Sequence, residues 1–135
     1  VSEQNRASAY QSQAVQTANG PQLLLMLCDR MSVDIARAEM ALGVGDNAAA
    51  NEHLQHAQRI VRMLRNALDP EGFRGATELL SVYVFLEAHL VRANMEKDAA
   101  AVRECAELVR PIHEAWRKAV NANERADGYA NANVG

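Results

Sequence analysis

The strongest constraint on this chain is a repeat of apolar side chains in steps of three and four residues, carried through four segments. Such steps hold side chains on one face of a helix turning every 3.6 residues. In the first segment the face is Leu24, Leu27, Met31, Ile35, Ala38 and Leu42, which predicts a helix from Pro21 to Leu42. Asn19 or Gly20 can cap its start, and Pro21 suits a first turn, where a missing N–H has no partner to lose. Asp46 is placed to N-cap a second helix reaching Leu68, with Ala50, Leu54, Ala57, Val61 and Leu64 on its face. The third runs from Ala76 to Asn94 on Leu79, Val82, Leu86, Leu90 and Ala93. The fourth, with Asp98 as N-cap, carries Val102, Cys105, Val109, Ile112, Trp116 and Ala119.

The breaks between segments are short and rich in residues that stop helices. Gly43-Val44-Gly45 supplies glycines free to take positive φ, and Asp69–Gly75 holds one proline and two glycines. Four helices of this length joined by short loops pack as an all-α, antiparallel up-and-down four-helix bundle over residues 19–120. Its expected core is Ile35, Leu64, Leu86, Leu90, Val109 and Trp116. Pro111 lies inside the fourth helix, where it frees the carbonyl of Glu107 and predicts a bend near residues 107–111. The third helix also carries Leu80, Tyr83, Val84, Phe85 and Val91 off its main face. It is either the most enclosed helix or one that offers an apolar strip to something else.

Two ends fall outside this pattern. Residues 1–18 are polar, with Ala7, Tyr10, Ala14 and Ala18 weakly spaced, so they form a short extra helix only by packing on the body. Residues 121–135, rich in Asn, Ala and Gly, have no apolar face and read as a frayed or disordered tail.

Composition agrees and removes whole classes of function. Alanine is the commonest residue and aromatics make up only 4%, which suits helices and not sheets. A net charge of −3 lacks the positive field of a typical nucleic-acid binder. The longest apolar run, Leu23–Cys28, is far too short to span a membrane, and the opening Val1–Arg6 has no signal core. Cys28 and Cys105 both sit within helical apolar patterns, as reduced core thiols of a cytosolic protein do.

Catalytic and metal-binding constellations are sparse, and no cofactor is expected. A di-iron bundle needs Glu-x-x-His on two helices, and the chain has none. His53 and His56 share a helix face without accompanying ligands. Ala88-His89-Leu90-Val91-Arg92-Ala93 partly matches a histidine phosphotransfer motif, but Ala93 stands where that motif has glycine and the leucine is displaced by one position. Arg59, Arg62 and Arg65 form a basic stripe that reads first as a solvated face, then as a contact for an acidic partner, then as a phosphate site. What remains is binding of another polypeptide, helped by flexible methionines. A bundle that self-associates through the third helix, as a homodimer, is the alternative.

Several stretches add to this reading. Tyr10-Gln11, Val15 and Thr17-Ala18 precede Gly20-Pro21 and Leu23–Asp29; Gly45-Asp46 opens the second helix and Leu68-Asp69 closes it. Tyr83, Leu90, Ala93–Asp98 and Ile112–Ala119 follow in the second half. In order and spacing these resemble the flagellin-specific export chaperones of bacterial flagella, the FliS-type proteins, over about residues 10–120. Cys28 replaces a usual tyrosine, Pro111 is unexpected, and Asp69–Gly75 is a proline-bearing version of the family's loop.

The resemblance implies a non-enzymatic protein of the bacterial cytosol. It would hold the disordered C-terminal region of flagellin, prevent premature polymerisation and deliver the client to the export apparatus. It also implies that Tyr10 belongs to a segment covering the client groove, and that Leu24, Leu27, Tyr83, Val84 and Val91 contact the client. Asp46, Asn94, Asp98, Pro111 and Trp116 are expected to be structural, with Asn94 satisfying carbonyls at a helix end.

Overall fold

The structure, a computed structural model, describes residues 20–134. Tyr10 and the rest of residues 1–19 lie outside the described residues. Four helices follow one another: α1 (Gly20–Gly43), α2 (Asn47–Ala67), α3 (Ala76–Glu96) and α4 (Ala99–Val134). Helix α1 packs on α2 and α4, and α3 packs on the same two from the opposite corner, so the bundle is a square with α1 and α3 on one diagonal.

The core is the line along which the four periodic faces meet. Ile35, Leu54, Val61, Leu64, Leu86, Leu90, Val102 and Val109 are closed to solvent there, interleaved with Ala38, Ala57, Ala93 and the two cysteines. Trp116, expected among them, is only half-buried and packs against the core from one end. On α3 the buried face is rotated toward Tyr83, which is 1% exposed, while Val84 and Phe85 face outward at 48% and 57%. The third helix is therefore the one presenting an apolar strip, and it is not the most enclosed.

Two turns at one end of the bundle share a design. After α1, Gly45 takes a left-handed φ of 75°, its N–H donates to the Leu42 carbonyl at 3.1 Å, and the Asp46 N–H reaches the Ala41 carbonyl at 2.8 Å. This pair of bonds is a Schellman ending. Asp46 then N-caps α2, its carboxylate accepting from the Ala49 N–H at 3.0 Å. After α3, Lys97 takes the left-handed position with φ 51°, and the Asp98 N–H donates to the Ala93 carbonyl at 3.3 Å. Asp98 in turn accepts from the Ala100 N–H at 3.0 Å as α4 begins.

Lys97 is not glycine, and its left-handed backbone is held by its own side chain. The Nζ donates to the Asn94 carbonyl at 2.6 Å and to Asn94 Oδ1 at 2.7 Å. Asn94 also donates to Asn51 Oδ1 at 2.9 Å, tying α3 to α2.

At the other end the α2–α3 connection is longer. Asp69-Pro70-Glu71-Gly72 closes as a turn, the Gly72 N–H donating to the Asp69 carbonyl at 3.0 Å with Pro70 in the position whose φ it pre-sets. Gly75, at φ 91°, lets the chain re-enter helix at Ala76. Helix α4 passes through Pro111 without interruption, as one helix and not two. It also continues to Val134, so the stretch after residue 120, read from sequence as a frayed tail, is helical. Nothing in that stretch forbids a helix: it has no proline, and its alanines offset the weaker helix formers Gly128 and the asparagines.

Leu86 is fully enclosed, so Leu86→Ala is expected to cost roughly 2–5 kcal/mol, read as a lower urea midpoint. An unchanged midpoint would contradict its enclosed position. The thiols give a second expectation. Burial, with a smaller contribution from the neighbouring carboxylates Asp29 and Glu104, pushes Cys28 and Cys105 from 9.0 up to about 12. In the unfolded chain they ionise near 9.0, so their stabilising share is complete below that pH and lost as pH climbs toward about 12. Unfolding free energy should therefore fall more steeply above pH 9 in the native sequence than in a Cys28→Val/Cys105→Val chain. Parallel slopes would count against the buried thiols.

Candidate functional site

The end of the bundle that carries the long α2–α3 connection is where apolar surface stays open. Two cavities lie there, of about 220 and 320 Å³, and both are walled by Phe73 and Trp116. The first is closed by Leu24 of α1, Leu64 and Leu68 at the end of α2, and Tyr83 of α3. The second lies between the start of α3 and the middle of α4, against Leu79, Ile112, Ala115 and Ala119. Phe73 is displayed there by the Asp69–Gly72 turn and is 49% exposed.

One hydrogen bond fixes the floor of this site. The Trp116 indole N–H donates to the Tyr83 hydroxyl at 3.3 Å. A buried hydroxyl without a partner would be costly, so the bond holds the indole against α3 and keeps the cavities from closing over it. Burial raises the Tyr83 hydroxyl above its ordinary 10.0, the Trp116 bond pulls it part of the way back, and Cys28 pushes it up again. Tyr83 is a phenol throughout the neutral range, able to accept from the indole.

The residues expected to meet a partner separate into two groups. Leu24 lines the first cavity and is half-buried; Leu27 is half-buried but packs on the core. Tyr83, at 1% exposure, has its ring in the core, because the buried face of α3 is turned toward it, and it also forms part of the wall of the first cavity. Val84 and Val91 stand elsewhere, on an outward stripe of α3 with Ala88 and Met95 at helical spacing. The structure does not join that stripe to the cavities.

Phe73, Leu68 and Leu79 were missed as site residues. The available signal for Phe73 was a lone aromatic inside a proline- and glycine-bearing loop, a position where an aromatic has no helix face to join.

His89 is spoken for. Its ring stacks on Phe85 at a centroid distance of 5.7 Å, its Nε2 meets Glu104 at 2.8 Å, and its side chain is 11% exposed. That environment ties α3 to α4 and leaves no open imidazole for phosphoryl transfer. Arg62 and Arg65 both engage Glu87 of α3, which dissolves the basic stripe read from sequence and leaves only Arg59 of the three without a carboxylate among the described residues. Among those residues no group of three or more His, Cys, Asp or Glu side chains is arranged to hold a metal ion. No described helix is long and apolar enough to cross a membrane.

A square helical bundle with apolar cavities at one end, and with His56, His89 and His113 tied into seams between helices, has the form of a polypeptide-binding scaffold. Comparison with known proteins narrows the class. Residues 3–123 match the family described as flagellar protein FliS. The flagellar secretion chaperone FliS of Salmonella typhimurium is 36% identical over 107 residues, covering 78% of this chain and 79% of that one. The flagellar secretion chaperone FliS of Bacillus subtilis is 29% identical over 131 residues, 97% of both chains. A crystal structure titled as a flagellar chaperone from bacteria superimposes with a TM-score of 0.70 at 14% identity, covering 89% of this chain and 98% of its own. That likeness speaks for the fold. The chain belongs to the FliS family of flagellar secretion chaperones, which are not enzymes.

Removing the indole donor should be measurable. Trp116→Phe is expected to cost about 1 kcal/mol in urea unfolding. Combined with Tyr83→Phe in a double-mutant cycle, it should show coupling between the two side chains; additive effects would deny the bond.

Proposed function

We propose that this chain binds the C-terminal region of flagellin in the bacterial cytosol, keeps it from polymerising early and presents it to the export apparatus. The observation that carries the reading is the pair of apolar cavities meeting at Phe73 and Trp116 on one end of the bundle. A segment that is disordered when free must offset its ordering entropy on binding, and a long apolar track does this better than one deep pocket. The outward stripe of Val84, Val91 and Met95 extends the apolar surface available to such a client along α3. Helix-in-groove contacts would use the cavities for large apolar side chains.

Residues 1–18, with Tyr10, are proposed to cover this surface until the client displaces them. Their point of attachment supports this, because α1 begins at Gly20, one turn from Leu24 in the first cavity. The same α3 stripe would serve a second copy of the chain, so light scattering on the purified protein separates an obligate dimer from a monomer that holds a client.

Trp116 is the sole tryptophan and reports the site directly. Titrating the protein with a tryptophan-free flagellin C-terminal peptide should shift its emission to the blue as the cavities fill. A peptide lacking its final third should bind at least about tenfold more weakly, roughly 1.4 kcal/mol. Emission that stays constant while calorimetry detects no heat of binding would overturn the reading. Deleting residues 1–18 should strengthen peptide binding; unchanged affinity would remove the covering role.

A further inference from the structure

On the corner diagonally across from α3, helix α1 carries an outward stripe that the apolar site does not use. Met26, Arg30, Val33, Arg37 and Met40 follow one another in steps of four, three, four and three. Met26 is 62% exposed, Val33 40% and Met40 73%. The stripe is therefore apolar every two turns, with an arginine between, over about 21 Å at 1.5 Å per residue. The core face of α1, with Cys28, Met31, Ile35 and Ala38, is on the other side of the helix.

The charges along this stripe are left one-sided by the way neighbouring carboxylates are spent. Asp29 engages His113 of α4, and Glu39 engages Arg103 of α4 at 3.0 Å, both on the far flank of α1. Asp34 is fully buried against α2, where it engages His56 and meets Arg30 at 3.3 Å. Arg37 has no carboxylate partner among the described residues. Beside the stripe, a cavity of about 380 Å³ opens between α1 and α2, with Arg30 and Arg59 on its walls and Glu52 as the exposed acid. A chain of net charge −3 thus carries a local basic track with apolar residues set into it.

We infer that this α1 face, with the α1–α2 crevice, is a second docking surface, and that its occupant is an acidic amphipathic helix of another protein. A helix laid along the stripe meets Met26, Val33 and Met40 with apolar residues at heptad spacing, and sets carboxylates against Arg30, Arg37 and Arg59. Exposed arginines on a mixed apolar surface are the side chains that anchor such contacts. An anionic membrane fits less well, since two methionines and a valine, with no aromatic residue in the stripe, give little to insert. Because α1 and α3 lie on a diagonal, this occupant and one seated on the Val84–Val91 stripe of α3 can be bound together.

The test uses the full chain and a fluorescein-labelled synthetic helix of about 20 residues, leucine at heptad-spaced positions and glutamate elsewhere. A lysine version of the same peptide and phosphatidylglycerol vesicles are run beside it. The glutamate peptide is expected to bind, to weaken with added salt, and to lose about tenfold in affinity or more in Arg37→Glu and in Met26→Ser/Val33→Ser. Val84→Ser/Val91→Ser should leave its affinity unchanged. Circular dichroism checks that each variant keeps its helicity, and Arg37→Gln serves in place of Arg37→Glu if that chain is unstable. Equal binding of the lysine peptide, no binding of either peptide, or equal sensitivity to the α3 variant would overturn the proposal. Vesicle binding that Arg37→Glu abolishes, without peptide binding, would overturn it in favour of a lipid surface.

Discussion

Close approach of the helices is the constraint from which the rest of this structure follows. Where the faces meet, the buried residues include Ala38, Ala57, Ala93, Ala101, Cys28 and Cys105 beside the leucines and valines. Small side chains let helix axes come near one another, and a tightly packed centre has no room for many large ones. Met26, Met40, Phe85 and Met95 fall on helix faces turned away from that centre and Phe73 falls in a loop, so all five stand in solvent.

The four seams are each fastened by polar ties. His56–Asp34 joins α1 to α2, Glu87 with two arginines joins α2 to α3, His89–Glu104 joins α3 to α4, and His113–Asp29 joins α4 to α1. The ties with an exposed partner contribute little stability individually, so their main effect is on register and orientation, whereas Asp34 is closed to solvent and depends on its partners. They also explain why His56, His89 and His113, which invite a catalytic or metal-binding reading in isolation, are occupied with structure.

The bundle was legible in the sequence because a period near 3.6 sustained across four segments admits few other folds. What periodicity leaves open is rotation about a helix axis. On α3, apolar residues cover so much of the circumference that Tyr83 and Val84, neighbours in sequence, could not be told apart as inward and outward. Asp34 was invisible for a different reason: an acid in an amphipathic helix is expected outside, and its partner His56 lies on another helix. Phe73 belongs to no helix, so no pattern assigned it a place, and only the closed turn before it shows where it points. Past residue 120 the sequence lacks an apolar face, but backbone hydrogen bonding needs no such face to continue a helix.

The two turns in which a left-handed residue is followed by aspartate bind the length of the chain at that end. Asp46 completes the ending of one helix and starts the next, and Asp98 does the same for the other pair. One added residue would separate the backbone N–H that closes one helix from the carboxylate that starts the next. Length changes between relatives should therefore gather at the opposite pole, around Asp69–Gly75 and where the chain enters α1. Partner preference can drift there through loop size while the frame stays fixed.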